Sequence, residues 1–153
     1  MMSDKDAWIM SYLRRNAREN ITDIAKDTGI PATTIYDRVR SQEKKFVKRY
    51  VTLLDFAKMC LNTTAVMAIN CSSNRQEVQK FLMSHPNINS LHRINFGCDF
   101  LAECVFRDLK EFEQFRDRME RDYHIDRMHL FTVVEELKKE GFLTKKEHFE
   151  MIK

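Results

Sequence analysis

Residues 21 to 40 decide the fold: Ile21-Thr22-Asp23-Ile24-Ala25-Lys26-Asp27-Thr28-Gly29-Ile30-Pro31-Ala32-Thr33-Thr34-Ile35-Tyr36-Asp37-Arg38-Val39-Arg40. Counted from Ile21, a small residue stands at the fifth place (Ala25), glycine at the ninth (Gly29) and a β-branched apolar residue at the fifteenth (Ile35). Two helices that cross closely need a small side chain at the contact. The tight turn between them needs a residue tolerant of positive φ, and the second helix needs an apolar anchor back to the first. Together these constraints read as a helix-turn-helix. The plain alternative is any three-helix hairpin that turns at a glycine.

Outward from this stretch, Trp8, Ile9, Tyr12 and Leu13 form one stripe on a helix over Asp4 to Arg18. A short helix fits Ile21 to Thr28, with Gly29 ending it. Pro31 suits the entry to a third helix, which runs to about Lys44 with Ile35 and Val39 inward. From Phe46 to Leu54 the period changes: Val47, Val51 and Leu53 alternate with Lys48, Thr52 and Leu54, which predicts a strand.

The charge distribution adds the second clue. The net charge is +3, and all of the excess lies in residues 1–55, which hold 11 Lys and Arg against 8 Asp and Glu. Arg38, Arg40, Lys44, Lys45, Lys48 and Arg49 carry it, opposed locally by Glu43. A basic stripe on an otherwise neutral chain is what contact with phosphates requires, although a solvated charged face has the same composition. On the helix-turn-helix reading the partner is double-stranded DNA. Thr33, Thr34, Tyr36 and Asp37 are then candidates for base-edge or thymine-methyl contact. Arg38 and Arg40 reach phosphates or guanine edges, and Lys44, Lys45, Lys48 and Arg49 meet the backbone. Arg38→Ala is expected to weaken DNA binding without unfolding the protein.

Composition excludes other classes. Hydrophobic residues make up 43% of the chain, enough to bury a core, and Gly (3) and Pro (2) are too scarce for long flexible linkers. No apolar stretch is long enough to span a bilayer, and the polar N-terminus lacks a signal-peptide core, so the expected location is cytoplasmic. Cys60, Cys71, Cys98 and Cys104 are scattered without a CxxC and read as reduced thiols. Neither they nor the histidines have metal-ligand spacing, no nucleotide loop or nucleophile–base pair is visible, and no cofactor is expected.

The remainder reads strand, helix, strand, strand, helix, strand: Thr63 to Asn70, Ser73 to Ser84, Asn89 to Phe96, Phe100 to Phe106, Asp108 to Tyr123 and Met128 to Val134. Ser73 with Gln76, and Asp108 with Glu111, have the spacing of capping boxes. This βαββαβ order is the ferredoxin-like split motif, with two helices on one sheet face. Alternation leaves neither face cleanly polar, which predicts a second copy on the free face. The expected fold is α+β. A three-helix, helix-turn-helix DNA-binding domain with its linking strand covers residues 1–55, a ferredoxin-like dimerisation domain covers 56–135, and a charged tail, partly helical or disordered, covers 136–153.

In this order of elements, and in Ile21 to Gly29, Thr33 to Arg40, Tyr50 to Asp55 and Gly97-Cys98-Asp99-Phe100-Leu101, the chain resembles the leucine-responsive regulator/AsnC family, also called feast/famine regulatory proteins. The likeness runs over roughly residues 4 to 135. It implies a winged-type N-terminal domain, transcription regulation, and dimers joined through their C-terminal sheets and often assembled into octamers. It also implies an amino-acid or related metabolite effector near the glycine turn. On this resemblance Arg38 matches the recurrent recognition-helix arginine, and Gly97 and Asp99 take an effector role. The chain departs from the family pattern at three places. Pro31-Ala32 replaces Ser-Pro at the helix entry, Lys44-Lys45-Phe46 replaces a glycine-containing link, and Cys98 stands where an acidic residue is common. Two other functions fit the fold: a sirohaem decarboxylase, which would need clustered His and Arg over a tetrapyrrole pocket, and an architectural DNA-compacting protein.

Overall fold

The structure is a computed structural model and describes residues 2–152. It divides into two compact units. One comprises the residues up to Thr52 together with those from Leu137 onward, and the other comprises Leu53–Glu136.

The first unit holds three helices, α1 (Asp4–Arg15), α2 (Ile21–Thr28) and α3 (Ala32–Phe46). Each boundary has a local cause. The Ser3 hydroxyl caps α1 by accepting the Asp6 N–H at 3.2 Å. Gly29, at φ +68°, ends α2 and donates its N–H to the Ala25 carbonyl at 2.9 Å. Pro31 precedes α3 without a side-chain cap, while its carbonyl accepts the Ile35 N–H at 3.0 Å. Ile9, Ile24 and Ile35 are fully buried, one from each helix, and Tyr12, Leu13, Ile21, Ala25, Ile30 and Val39 pack around them. Ala25 and Ile35 thus do what their spacing predicts.

Two expectations for this region need correction. No strand forms over residues 46–54. α3 continues through Phe46, and residues 47–55 are neither helix nor strand. A strand needs a hydrogen-bonded neighbour, and none of the described strands pairs with this segment. Its apolar side chains Tyr50, Val51, Leu53 and Leu54 remain exposed. The tail, for its part, is ordered and belongs to the first unit. Residues Lys146–Ile152 form a 3-10 helix, and Phe149 is buried. The Arg14 guanidinium donates to the carbonyls of Phe142 and Glu140, both at 3.2 Å, and to the Glu140 carboxylate at 2.8 Å. Lys146 Nζ lies 4.2 Å from the centre of the Trp8 ring, a cation–π contact.

The second unit is a four-stranded antiparallel sheet in the order β2-β3-β1-β4, from β1 (Thr63–Asn70), β2 (Ile88–Arg93), β3 (Phe100–Phe106) and β4 (Arg127–Thr132). The helices α4 (Arg75–Ser84) and α5 (Leu109–Asp122) complete the ferredoxin-like fold. The core lies between sheet and helices: Ala65, Met67 and Ile69 of β1 and Phe100, Ala102, Cys104 and Phe106 of β3 meet Val78 and Leu82 of α4 and Phe112, Phe115 and Met119 of α5. At α5 the Asp108 side chain accepts the Glu111 N–H at 2.8 Å, and the Glu111 carboxylate reaches back to the Arg107 N–H at 2.8 Å. Ser73 caps nothing: α4 starts two residues later, after Asn74. β2 is shorter than expected and carries a register shift between Ile88 and Ser90.

The opposite sheet face has no helix. Its rows follow from the register: Val66 lies between Glu103 and Phe131, and Ala68 between Leu101 and His129. Phe131 is 58% exposed. Within this unit no helix covers the face, which carries Val66, Ala68, Leu101 and Phe131 beside Glu103 and His129.

Candidate functional site

α3 is amphipathic, and its burial sorts the predicted contact residues into two groups. Ile35 and Gln42 are buried and Val39 packs on the core, which turns Thr33, Tyr36, Asp37, Arg40 and Lys44 to solvent. Thr34, Lys45, Lys48 and Arg49 are exposed as well. Arg40, Lys44, Lys45, Lys48 and Arg49 have no ion-pair partner among the described residues. Glu43, the one acid in the run, accepts a hydrogen bond from the Tyr50 hydroxyl at 2.6 Å. Burial, the bond to Glu43 and its charge push the Tyr50 phenol up to about 12.

Arg38 differs from the rest. It turns toward α1, and its guanidinium donates to the Asp6 carboxylate at 2.8 Å. The Asp6 side chain is 11% exposed and the Arg38 side chain 36%. Burial alone would raise the Asp6 pKa. Hydrogen bonds from Ser3 and Arg38, with the Arg38 charge, outweigh it and hold the carboxyl below its ordinary value. The pair borders a shallow recess of about 320 Å³ lined also by Thr34, Asp37, Ser41 and Gln42. Arg38 is therefore a tie between α3 and α1 before it is anything else. The sequence signal for this tie was two residues, Asp6 and Arg38, that only the packing of α1 on α3 brings together.

In the second unit, the turn between β2 and β3 contains the residues tied to effector binding by family resemblance. Gly97 takes φ +94°, with open space where a Cβ would stand. Phe96 also has positive φ and is 97% exposed. Asp99 points inward: its carboxylate pairs with the Arg75 guanidinium and accepts the Cys71 N–H at 2.9 Å. The Asn70 amide donates to the Gly97 carbonyl at 2.9 Å. Asp99 thus braces the turn against the start of α4, with one partner on each carboxylate oxygen.

Cys71 and Cys104 are buried core thiols, whereas Cys60 is exposed and Cys98 half-buried. Burial, then the Asp99 charge, raises Cys71, and burial with Glu103 pushes Cys104 up to about 12. Among the described residues no group of three His, Cys, Asp or Glu side chains could hold a metal ion, and no helix is long and apolar enough to cross a membrane. His92, between Leu101 and the sheet edge, and Arg93, beside Phe100 and α4, diverge and form no cluster.

A helix-turn-helix unit with exposed basic side chains on and after its last helix, followed by a ferredoxin-like unit, is the arrangement of a class of regulators. Residues 64–143 match the family model described as Lrp/AsnC ligand binding domain. The chain belongs to the Lrp/AsnC family. An uncharacterized HTH-type transcriptional regulator of Pyrococcus abyssi is 30% identical over 103 residues, which is 64% of this chain and 69% of that protein. The glutamate uptake regulatory protein of Zymomonas mobilis is 24% identical over 142 residues, covering 90% of this chain and 87% of its own length. Among solved structures, a transcriptional regulator of Neisseria meningitidis in complex with L-Met superposes with a TM-score of 0.83 at 18% identity, over 91% of this chain and 94% of that one. That likeness speaks for the fold.

Proposed function

We propose that this chain is a sequence-specific transcription regulator that binds double-stranded DNA through α3 and works as a homodimer. The observation that carries the reading is the row Arg40, Lys44, Lys45, Lys48 and Arg49, exposed and unpaired, on and just after a helix whose opposite side is anchored by Ile35. Thr33 and Tyr36 on the same surface offer a hydroxyl and an aromatic edge to bases, and Asp37 an acceptor. Arg38 sits at the rim of this surface. Part of its guanidinium is engaged by Asp6, so it contributes less than Arg40.

The homodimer is supported by two unpartnered apolar features. One is the helix-free sheet face around Val66, Ala68, Leu101 and Phe131. The other is the segment 46–54, whose strand-like alternation lacks a neighbouring strand in its own chain and would find one in a second copy. The match of residues 64–143 to a ligand-binding domain supports a small effector in the second unit, an amino acid or a related metabolite. The relatives above are named as regulators, which favours regulation over catalysis for this chain.

The test is binding to its own promoter against a scrambled duplex at physiological salt. Preference for the promoter is expected. Arg40→Ala and Lys44→Ala should each weaken binding and lower the slope of log K against log salt by about one. Equal affinity for both duplexes would leave DNA compaction and remove sequence-specific regulation. Unchanged affinity in both variants would remove α3 as the reader.

A further inference from the structure

Between α4 and the edge strand β2 lies a groove of about 350 Å³, within the range of small-ligand sites (about 300–1,000 Å³). Its floor is apolar: Leu82 and Phe100 are fully buried, and Ile88 and Leu91 pack partly against the same core. Arg93 is the only charged residue that lines it. It has no ion-pair partner among the described residues, and it stands at the last position of β2, opposite Phe100. Gln79 spans the rim. Its amide donates to the thioether sulfur of Met83 at 3.8 Å, a weak acceptor that a carbonyl oxygen would readily replace. The amide of Asn89 is committed to the Glu103 carboxylate at 2.9 Å.

These groups have a definite chemical complement. A free guanidinium over an apolar floor takes a carboxylate bearing an aliphatic chain. An ammonium group has no carboxylate to meet, because none lines the groove. Asp99, on the nearby turn, pairs with Arg75 and accepts the Cys71 N–H, and it does not line the groove. We propose that the α4–β2 groove binds a small aliphatic carboxylate that lacks an ammonium group, in particular a branched 2-oxo acid. Arg93 holds its carboxylate, Gln79 donates to its keto oxygen, and the chain lies on Ile88, Leu91 and Met83, with Leu82 and Phe100 buried beneath. The inference rests on the reading that the second unit takes a small effector, and it is independent of the DNA-binding reading. It moves the effector contact from the glycine turn to a groove at the foot of that turn.

The experiment titrates the full-length protein by calorimetry with 4-methyl-2-oxopentanoate, with leucine, its amino counterpart, and with methionine. The oxo acid should bind at least about tenfold more tightly than either amino acid. Arg93→Gln should weaken it by about tenfold or more, since a neutral amide cannot pair with the carboxylate. Phe96→Ser, at the exposed tip of the turn, should leave it unchanged. Melting curves of both variants check that the unit is intact, and both side chains are at the surface, so both should fold. Equal or tighter binding of an amino acid overturns the proposal. So does retention of oxo-acid affinity in Arg93→Gln, loss in Phe96→Ser, or no saturable binding below about 10 mM. Promoter binding is measured separately without ligand. A protein that binds DNA but not the oxo acid loses this inference alone, and one that binds the oxo acid but not DNA loses the DNA reading alone.

Discussion

Arg38 donates to a carboxylate that burial would otherwise push toward protonation, so removing it acts on Asp6 before it acts on any ligand. Arg38→Ala leaves Asp6 with Ser3 as its only side-chain partner. It should destabilise the first unit by about 1–2 kcal/mol, at the low end for a lost charged hydrogen bond because Arg38 is partly solvated. This adds a stability cost to the expected loss of DNA binding, short of unfolding. A fall in melting temperature, with a smaller loss of DNA affinity than Arg40→Ala causes, is the expected pair of results. An unchanged melting temperature would show the tie to be idle. The linkage to pH follows from the lowered carboxyl: the stabilisation is present above the unfolded value of 3.8 and is lost as pH falls through the lower folded value. His85 works in the same direction at milder pH. Burial first, and the Arg118 charge second, lower its pKa against a small opposing effect of Glu111. Its ring packs 4.7 Å from Phe115 and 5.1 Å from Phe81, and its Nδ1 accepts the Asn87 N–H at 3.3 Å. The unfolded chain then binds the proton more readily, so the His85 contribution is full above the unfolded value of 6.5 and is lost as pH falls below it. Thermal melts at descending pH should decline less steeply in His85→Asn, which keeps an acceptor near the Nδ1 position, than in the wild type.

The helices of the first unit and the order of the second were readable because their determinants are local. Ile24, Ala25, Gly29 and Ile35 act through neighbours within one turn or one crossing, and Asp108 with Glu111 caps α5 within four residues. Gly29→Ala tests this directly. With nothing near the absent Cβ, the cost is that of the left-handed backbone alone, about 1 kcal/mol. What stayed illegible depends on partners distant in the chain. The alternation of residues 46–54 is a real strand signal that its own chain leaves without a neighbour. The engagement of Arg38 needs Asp6, 32 residues away. Asp99 matches an effector motif in sequence, yet it is occupied by Arg75 and Cys71, which no local pattern announces. The tail is the clearest case. Its charges suggest a solvated segment, but Arg14, Trp8 and the burial of Phe149 hold it in the first unit. Phe149→Ala should cost about 2–3 kcal/mol, less than a fully enclosed phenylalanine because Phe149 keeps 9% of its surface exposed. Deleting the residues after Glu136 should lower the stability of the helical unit, read by proteolysis within α1, while the sheet unit keeps its protection. Equal protection of α1 with and without the tail would return the segment to the role of a passive appendage.

A sheet with helices on one side only must place its other side somewhere, and here that side carries Val66, Ala68, Leu101 and Phe131 and is covered by neither helix of its own unit. The row Ser90–Glu103–Val66–Phe131 is decisive because it puts an exposed aromatic on the edge strand β4 beside an aliphatic residue, with a single carboxylate on β3. Two copies meeting face to face would remove both apolar side chains from water, at about 25 cal/mol per Å² of apolar surface. A symmetric pairing also repeats each contact twice. Phe131→Glu sets a second carboxylate into the same row. In one chain it stays solvated and should change the melting temperature little, within about 0.5 kcal/mol for a surface site. Across the pairing it puts like charges on a face that must be dry. Light scattering should therefore report a dimer for the wild type and a monomer for the variant. Because a dimer offers two α3 helices to two half-sites, operator affinity should fall by about 10²-fold or more, the avidity of joining two modest sites, while the salt dependence per recognition helix persists. A Phe131→Glu protein that remains dimeric would place the pairing elsewhere, with the exposed segment 46–54 the next surface to mutate. One that becomes monomeric yet binds its operator undiminished would mean that a single recognition helix suffices.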